Sequence, residues 1–305
     1  MSRKKVVLIW LIIFSPFIGL FSAIYLTSFG FFGPLPTFEQ LENPKNNLAT
    51  EIISEDGVLL GKYFFENRSN IKHHELPESL INALIATEDI RYMGHSGIDA
   101  RSLVRAVVGL LFGSGNSGGA STITQQLAKM LFTEKPSSGI DRVMQKFKEW
   151  IIAIRLEKQY TKEEILAMYL NRFDWVNNAV GIKSASQVYF NTIPSKLTIE
   201  ESAMFVGMLK NPALYNPNRR MEITNERRNV VLSQMNKYEF ISDSLYETLK
   251  NQPIVLDFKR ASHNEGQAPY LREHLRGELK KWCTKHIKPD GTSYNLYTDG
   301  LRIYT

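Results

Sequence analysis

The sequence has a single cysteine, Cys283, among its 305 residues. One thiol cannot form a disulfide within the chain, and it argues against a metal site built from cysteines. The sequence also lacks internal repeats and low-complexity tracts, which excludes a repeat architecture. Since 43% of the residues are hydrophobic, we expect a chain that buries a substantial core, in which Cys283 has no chemical role.

The chain also lacks a strong excess of positive or negative charge. The chain has 37 basic and 31 acidic residues and a net charge of +6. Three of the basic residues precede the first apolar run, which leaves a net charge of +3 for residues 6–305. Because this positive excess is weak and no zinc or helix-turn-helix pattern occurs, we do not expect nucleic acid as a partner. It fits a protein that works close to anionic lipid.

One long apolar run stands near the N-terminus. No charged residue occurs from Val6 to Leu26, which is long enough to span a bilayer as a helix. The basic residues before it predict a cytoplasmic tail over residues 1–5, a transmembrane anchor over 6–32, and the remaining chain on the outer face of the cytoplasmic (inner) membrane. A cleaved signal peptide is the alternative, but the length of the run and the lack of an A-x-A site disfavour it.

The pattern then predicts a mainly α domain. A linker over residues 33–70 holds two strand-like stretches around Asp56-Gly57, a β-hairpin signal. From Leu76 the apolar spacing is helical, and a helix is expected to begin at Pro77 and end at Glu88. Further helices are predicted over 100–112, 122–132, 141–158, 161–172, 181–190 and 198–209. We expect the domain to cover residues 71–250 and an extended exit segment to cover 251–305.

Glu88 opens the first string that could carry chemistry, EDIRYMGH at residues 88–95. The negative end of a helix dipole disfavours the ionised form of a carboxylate, which suits a general base. From its position alone, the simpler interpretation is a solvated glutamate in a capping turn.

The second string, GGASTITQQLAK, covers residues 118–129. Gly118 and Gly119 allow close approach of the backbone, and Thr122 with Gln125 fits a capping box. The start of a helix favours anions, so a polar face could hold a pyrophosphate. That face would consist of Thr122, Gln125, Gln126 and Lys129. The alternative is an ordinary capped amphipathic helix.

The third string is RVMQKFKE at residues 142–149. Helical spacing predicts an apolar core face, made of Phe147, Trp150, Ile151 and Ile154. It predicts an opposite polar face, made of Arg142, Gln145, Lys146 and Glu149. A solvated charged face is the usual explanation for such a set.

In this order and behind an anchor, the three strings resemble the motifs of peptidoglycan glycosyltransferases, the lipid II polymerases of class A penicillin-binding proteins. The resemblance covers residues 50–250 and implies a lysozyme-like helical fold with a head and a membrane-facing jaw. It places the jaw at the apolar patch of residues 103–112, which could instead be buried core. It also implies that residues 251–305 lead towards a transpeptidase domain.

The resemblance also implies residue roles. Glu88 is expected to be the general base, and Glu149 to assist at the donor sugar. Substrate binding is expected from Asp89, Arg91, His95, Ser121, Thr122, Gln125, Gln126, Lys129, Gln145 and Lys146. Gln145 stands where the family usually has arginine, although Arg142 lies one turn earlier. Tyr92 stands where phenylalanine is usual.

The expected partners are lipid II, the nascent glycan chain, the membrane, and cell-division or elongation proteins. A divalent ion, Mg²⁺ or Mn²⁺, is compatible with the donor pyrophosphate, but the sequence does not require one. Two other functions stay open: a non-catalytic membrane scaffold of the wall-synthesis machinery, and a lysozyme-like lytic transglycosylase. A Ser-x-x-Lys string at residues 69–72 has no Ser-x-Asn or Lys-Thr-Gly partner and is interpreted as chance.

Overall fold

The computed structural model describes residues 3–37, 50–63, 71–111, 121–133, 136–259, 268–289, 291–297 and 299–305. These residues are mainly helical, as predicted. Gly118 and Gly119 lie outside the described residues. The chain forms two compact units. The first consists of residues 1–44 and 94–161, and the second of residues 45–93 and 162–305.

The described part of the first unit is helical. It begins with helix α1 (Arg3–Ser28). The next helix along the chain, α2 (Glu78–Glu88), is part of the second unit. The first unit continues with α3 (Ala100–Leu111), α4 (Ile123–Phe132) and α5 (Gly139–Gln159). Helix α1 packs against α5, and the segment after α1 is fixed there because the Arg155 guanidinium donates to the carbonyl oxygen of Pro36 at 3.3 Å.

Within the described residues, we find no helix with the length and apolarity that crossing a membrane requires. The anchor over residues 6–32 stays a prediction.

Helix α3 exposes apolar side chains. Val104 is 62% and Val108 is 46% exposed, and Arg101 and Arg105 beside them are exposed as well. For these side chains, the alternative of a buried core is therefore wrong. Contact of this surface with a membrane stays a prediction.

The second unit has a helical core. After α2, its helices are α6 (Lys162–Arg172), α7 (Ile182–Phe190), α8 (Ile199–Leu209), α9 (Met221–Lys237), α10 (Asp243–Lys250) and α11 (Pro269–Lys285). Helices α2, α8 and α9 pack against one another. Aromatic edge-to-face contacts extend this core. The ring centroid of Phe205 on α8 lies 5.8 Å from the ring centroids of both Trp175 and Tyr189.

A small sheet completes the second unit. Strands β1 (Thr50–Ile53) and β2 (Leu59–Tyr63) form an antiparallel hairpin, which confirms the prediction made from Asp56-Gly57. Strand β3 (Arg302–Tyr304) pairs with β1 in parallel, so the sheet order is β2-β1-β3. The hairpin and residues 251–305 are predicted as separate segments, whereas in the structure β3 joins the hairpin in one sheet.

A hydrophobic cluster lies between this sheet and α11. It contains the buried residues Ile52, Tyr63, Cys283 and Leu296. Burial raises the pKa of the Cys283 thiol, and the nearby charge of Asp299 adds to this effect. Because the thiolate is the reactive form, both burial and the raised pKa protect this cysteine.

We predict that Cys283 resists alkylation in the folded protein. At pH 8, iodoacetamide should label the native protein at least about tenfold more slowly than the urea-unfolded protein, because both access and thiolate formation are reduced. Mass spectrometry of timed samples measures the two rates. Equal rates would contradict the buried position of this side chain.

Candidate active site

Glu88 is the last residue of α2, as predicted. Pro77 precedes the helix as its N-cap and is not its first residue, so that detail of the prediction is wrong. The buried face of α2, which includes Leu80 and Leu84, holds the helix on the core of the second unit. Glu88 itself is half-buried at the negative end of the helix dipole.

Tyr169 on α6 lies near the Glu88 carboxylate. Its side chain is completely buried, and burial together with the negative charge of Glu88 raises the pKa of Tyr169 well above its usual value. The phenol therefore keeps its proton at neutral pH. After Glu88 the chain turns, and the Tyr92 amide donates to the Asp89 carbonyl oxygen at 2.9 Å. Asp89 is buried and Arg91 is half-buried.

In the first unit, α4 begins with a side-chain cap. The Thr122 hydroxyl accepts a hydrogen bond from the Gln125 amide at 3.2 Å and donates to the carbonyl oxygen of Gly97 at 2.7 Å. The Gln125 side chain donates to the same carbonyl oxygen at 3.2 Å, so it does not complete the predicted capping box. Of the four residues of the predicted polar face, Thr122 and Gln125 are buried.

Gly97 is the residue that sequence reasoning missed. Its φ of +88° lies in the left-handed region that favours glycine, and a Cβ atom there would lie 2.8 Å from the carbonyl carbon and oxygen of Ala153 on α5. Only glycine allows this close approach. The residue therefore lies against the backbone of α5, while its carbonyl oxygen receives two hydrogen bonds from the start of α4.

Helix α5 carries a compact charged group. The Lys146 ammonium lies 2.9 Å from a carboxylate oxygen of Glu149 and donates to the Ser121 hydroxyl at 2.6 Å. Glu149 is 5% exposed, which corrects the prediction that it lies on a polar face. The ion pair with Lys146 compensates the cost of burying this carboxylate.

The buried stripe of α5 differs from the predicted one. Phe147 is buried, as predicted, whereas Ile154 of the same predicted face is 36% exposed. The other buried residues of the helix are Glu149, Ile152, Ala153 and Leu156. A further contact missed in the sequence lies on the same helix, where Glu157 accepts a hydrogen bond from the buried Thr124 hydroxyl at 2.6 Å.

The other predicted site residues of the first unit are more exposed. Gln145 is half-buried, and its side chain donates to the Thr133 hydroxyl at the C-cap of α4 at 3.0 Å. Gln126 and His95 are half-buried, and Lys129 is exposed. The structure thus brings Ser121, Lys146 and Glu149 together. Glu88, Asp89 and Arg91 belong to the second unit.

Among the residues that the structure describes, no group of three or more His, Cys, Asp or Glu side chains is arranged to hold a metal ion. The divalent ion considered from the sequence therefore stays a prediction without a candidate set of ligands.

Comparison with known proteins identifies the family. The family model described as Transglycosylase matches residues 56–236, more than half of the chain. The chain belongs to the transglycosylase family. The resemblance found in the motifs is thereby confirmed, and so is the predicted class of enzyme at the level of the family.

Three relatives of this transglycosylase illustrate the match. Penicillin-binding protein 1A of Vibrio cholerae is 35% identical over 92% of this chain and 33% of its own length. Penicillin-binding protein 1A of Escherichia coli is 35% identical over 89% of this chain and 30% of its own length. Penicillin-binding protein 1F of Bacillus subtilis is 35% identical over 73% of this chain and 31% of its own length. This transglycosylase spans about a third of the length of these curated relatives.

Among solved structures, the chain is similar to the crystal structure of penicillin-binding protein 1A from Haemophilus influenzae. The TM-score is 0.46 at 24% identity, and the match covers 85% of this chain and 27% of the other.

We predict that Gly97→Ala destabilises this transglycosylase by at least about 2 kcal/mol, because the added Cβ meets the α5 backbone and the left-handed φ becomes strained. Urea unfolding in detergent measures the change. The matched control is Gly139→Ala, since a Cβ at Gly139 has no atom within 4 Å. An equally small effect of both variants would contradict the close approach of Gly97 to α5.

We also predict energetic coupling between Lys146 and Glu149. Lys146→Met should lower the free energy of unfolding by about 2–3 kcal/mol, because it leaves a buried carboxylate without its cation. The double variant Lys146→Met/Glu149→Gln should recover most of this loss, because no charge is left buried. Lys158→Met on the exposed side of α5 serves as the control. Losses that simply add in the double variant would show that the two side chains do not form a pair.

Proposed function

We propose that this transglycosylase polymerises lipid II into glycan strands and releases undecaprenyl pyrophosphate. Beyond family membership, the observation that carries the proposal is the cation at Lys146, which the buried Glu149 and the Ser121 hydroxyl hold in place. A fixed cation is what a departing pyrophosphate requires, because negative charge develops on it as the glycosidic bond breaks.

In this proposal Glu88 is the general base. Its carboxylate takes the proton from the 4-hydroxyl group of the acceptor glucosamine sugar, and that oxygen attacks C1 of the donor muramic sugar. The bond from C1 to the phosphate oxygen breaks, its electron pair leaves with undecaprenyl pyrophosphate, and the configuration at C1 inverts. The position of Glu88 supports this role, since the residue ends α2 and is half-buried, so its carboxylate is held by the helix and still partly accessible.

Lys146 and Lys129 are proposed to bind the pyrophosphate of the donor. Lys146 is one-third exposed and Lys129 is exposed, so both side chains are accessible from solvent. Glu149 then acts through Lys146, because its carboxylate holds that ammonium group in place at 2.9 Å. Thr122 and Gln125 support the start of α4 through Gly97.

The remaining assignments rest on the resemblance. Asp89, Arg91, His95, Gln126 and Gln145 are proposed to shape the substrate site, and a divalent ion at the pyrophosphate is part of the same expectation. We also propose that residues 6–32 anchor the chain in the cytoplasmic membrane with the catalytic residues on its outer face, where lipid II and the nascent glycan chain lie. Cell-division or elongation proteins are the proposed protein partners.

We predict that Glu88→Gln abolishes polymerisation. The protein is assayed in detergent with labelled lipid II, and a gel resolves the length of the glycan products. Because an amide cannot accept the proton, the rate should fall at least about 100-fold while the unfolding transition stays unchanged. The matched control is Glu78→Gln at the other end of α2, where the side chain is exposed.

A ladder of products from the wild type and from Glu78→Gln alone would support the proposal. Full activity of Glu88→Gln would show that another group is the base. A folded wild type that binds lipid II but makes no glycan would instead favour the membrane scaffold. Cleavage of preformed glycan would favour a lytic transglycosylase.

A further inference from the structure

Tyr92 follows the proposed base by four residues and is completely buried. Its hydroxyl donates a hydrogen bond to the carbonyl oxygen of Lys162, the first residue of α6, at 2.8 Å. A phenylalanine at this position would fill the same space without this bond. The hydroxyl therefore adds a specific link between the turn after Glu88 and the start of α6.

The Lys162 side chain strengthens this link. Its ammonium nitrogen lies 4.3 Å from the centroid of the Tyr92 ring, within the range of a cation–π interaction. Lys162 thus contacts Tyr92 through both its carbonyl oxygen and its ammonium group. We call this pair of contacts the Tyr92–Lys162 clasp.

The clasp lies where the chain leaves the second unit and returns to it. The chain leaves this unit after Met93 and returns at Lys162, so both partners of the clasp stand at these two points, on the unit's own side. The hydrogen bond joins residues that are 70 positions apart in the sequence. Contacts between such distant positions restrain the chain more than local ones do, because they close a long loop.

The same helix reaches Glu88 at a second point. Tyr169, two turns after Lys162 on α6, is the buried phenol whose pKa is raised by burial and by the charge of Glu88. Helix α6 therefore contacts the turn over residues 88–92 at Tyr92 and carries a buried phenol close enough to Glu88 to respond to its charge. A helix that is bonded to one end of a short turn limits the directions in which the turn can move.

We infer that Tyr92 is a positioning residue for Glu88, and that its hydroxyl does this by fixing the turn to α6. The inference rests on the proposed function, in which Glu88 is the base. A small displacement of a general base slows proton transfer, which requires more exact placement than binding does. Because Asp89 and Arg91 lie in the same turn and are proposed to shape the substrate site, Tyr92 is expected to affect kcat more strongly than KM for lipid II.

Tyr92→Phe tests this inference, because it removes the hydroxyl and keeps the ring. We expect kcat to fall about fivefold, the equivalent of one lost hydrogen bond, with a smaller change in KM. The matched control is Tyr189→Phe. Tyr189 is also a buried tyrosine. Its hydroxyl donates to the carbonyl oxygen of Trp175 at 2.7 Å and accepts from the Asn177 side-chain amide at 2.9 Å, so this variant loses two hydrogen bonds elsewhere in the second unit.

Hydrogen exchange provides a second measurement that does not depend on activity. In Tyr92→Phe the backbone amides of residues 89–93 should exchange faster than in the wild type, and in Tyr189→Phe they should not. A fall in kcat and faster exchange that are both confined to Tyr92→Phe would support the inference. An unchanged kcat, or equal losses in the two variants, would overturn it.

These readouts separate the inference from the proposed function. If the folded wild type makes no glycan, the proposed function fails, and with it the catalytic part of the inference. Faster exchange in Tyr92→Phe would then still establish that the clasp holds the turn. If the wild type is active but amide exchange in Tyr92→Phe is the same as in the wild type, the role of the clasp is overturned and the proposed function stays intact.

Discussion

A carboxylate on the buried side of α5 requires a cation in contact with it, and the first unit is organised around this requirement. Glu149 is 5% exposed, and an isolated charge in that position would cost several kcal/mol. Lys146, one turn earlier, supplies the cation. Since its ammonium group also donates to Ser121, the ion pair determines where the chain stands just before α4 begins.

The contacts around the start of α4 connect it back to helix α5. Ser121 precedes Thr122, whose hydroxyl donates to the carbonyl oxygen of Gly97. Gly97 in turn lies against the α5 backbone at Ala153, one turn after Glu149. A closed set of contacts therefore begins and ends on one helix. Such a set positions the proposed pyrophosphate-binding lysine without a ligand, which is the preorganisation that electrostatic stabilisation requires.

Much of the fold could be predicted from local sequence patterns, because hydrophobic periodicity and helix-capping residues depend on neighbouring positions only. The end of α2 at Glu88 and the hairpin at Asp56-Gly57 follow from such signals. The pairing of β1 with β3 does not, because Glu51 and Arg302 lie at opposite ends of the sequence. No local pattern records which distant strand becomes a partner.

The buried face of α5 could be predicted from the sequence only in part, at Phe147, for a different reason. Apolar residues occur on two overlapping stripes, and the aromatic side chains of one favour it as the core face. The other stripe contains Glu149, whose charge argues against burial when it is considered alone. Once Lys146 pairs with it, that penalty is offset, and Ile152 and Leu156 decide the orientation. The role of Gly97 could not be predicted from the sequence either, because it depends on the close approach of the Ala153 backbone, which lies far away along the chain.

A neutral amide at position 145 has a consequence for the proposed reaction. Gln145 donates to Thr133, so its side chain links α5 to the end of α4. In the proposed reaction, positive charge for the pyrophosphate would then come from Lys129 and Lys146. Two ammonium groups match the charge of a diphosphate joined to both sugar and lipid, but breaking the sugar bond adds one more negative charge. Arg142, exposed one turn before Lys146, is the residue of α5 that could meet this additional demand. If the proposed reaction holds, the departure from the family pattern affects the leaving group more than the bound substrate, because the additional charge develops only as the bond breaks.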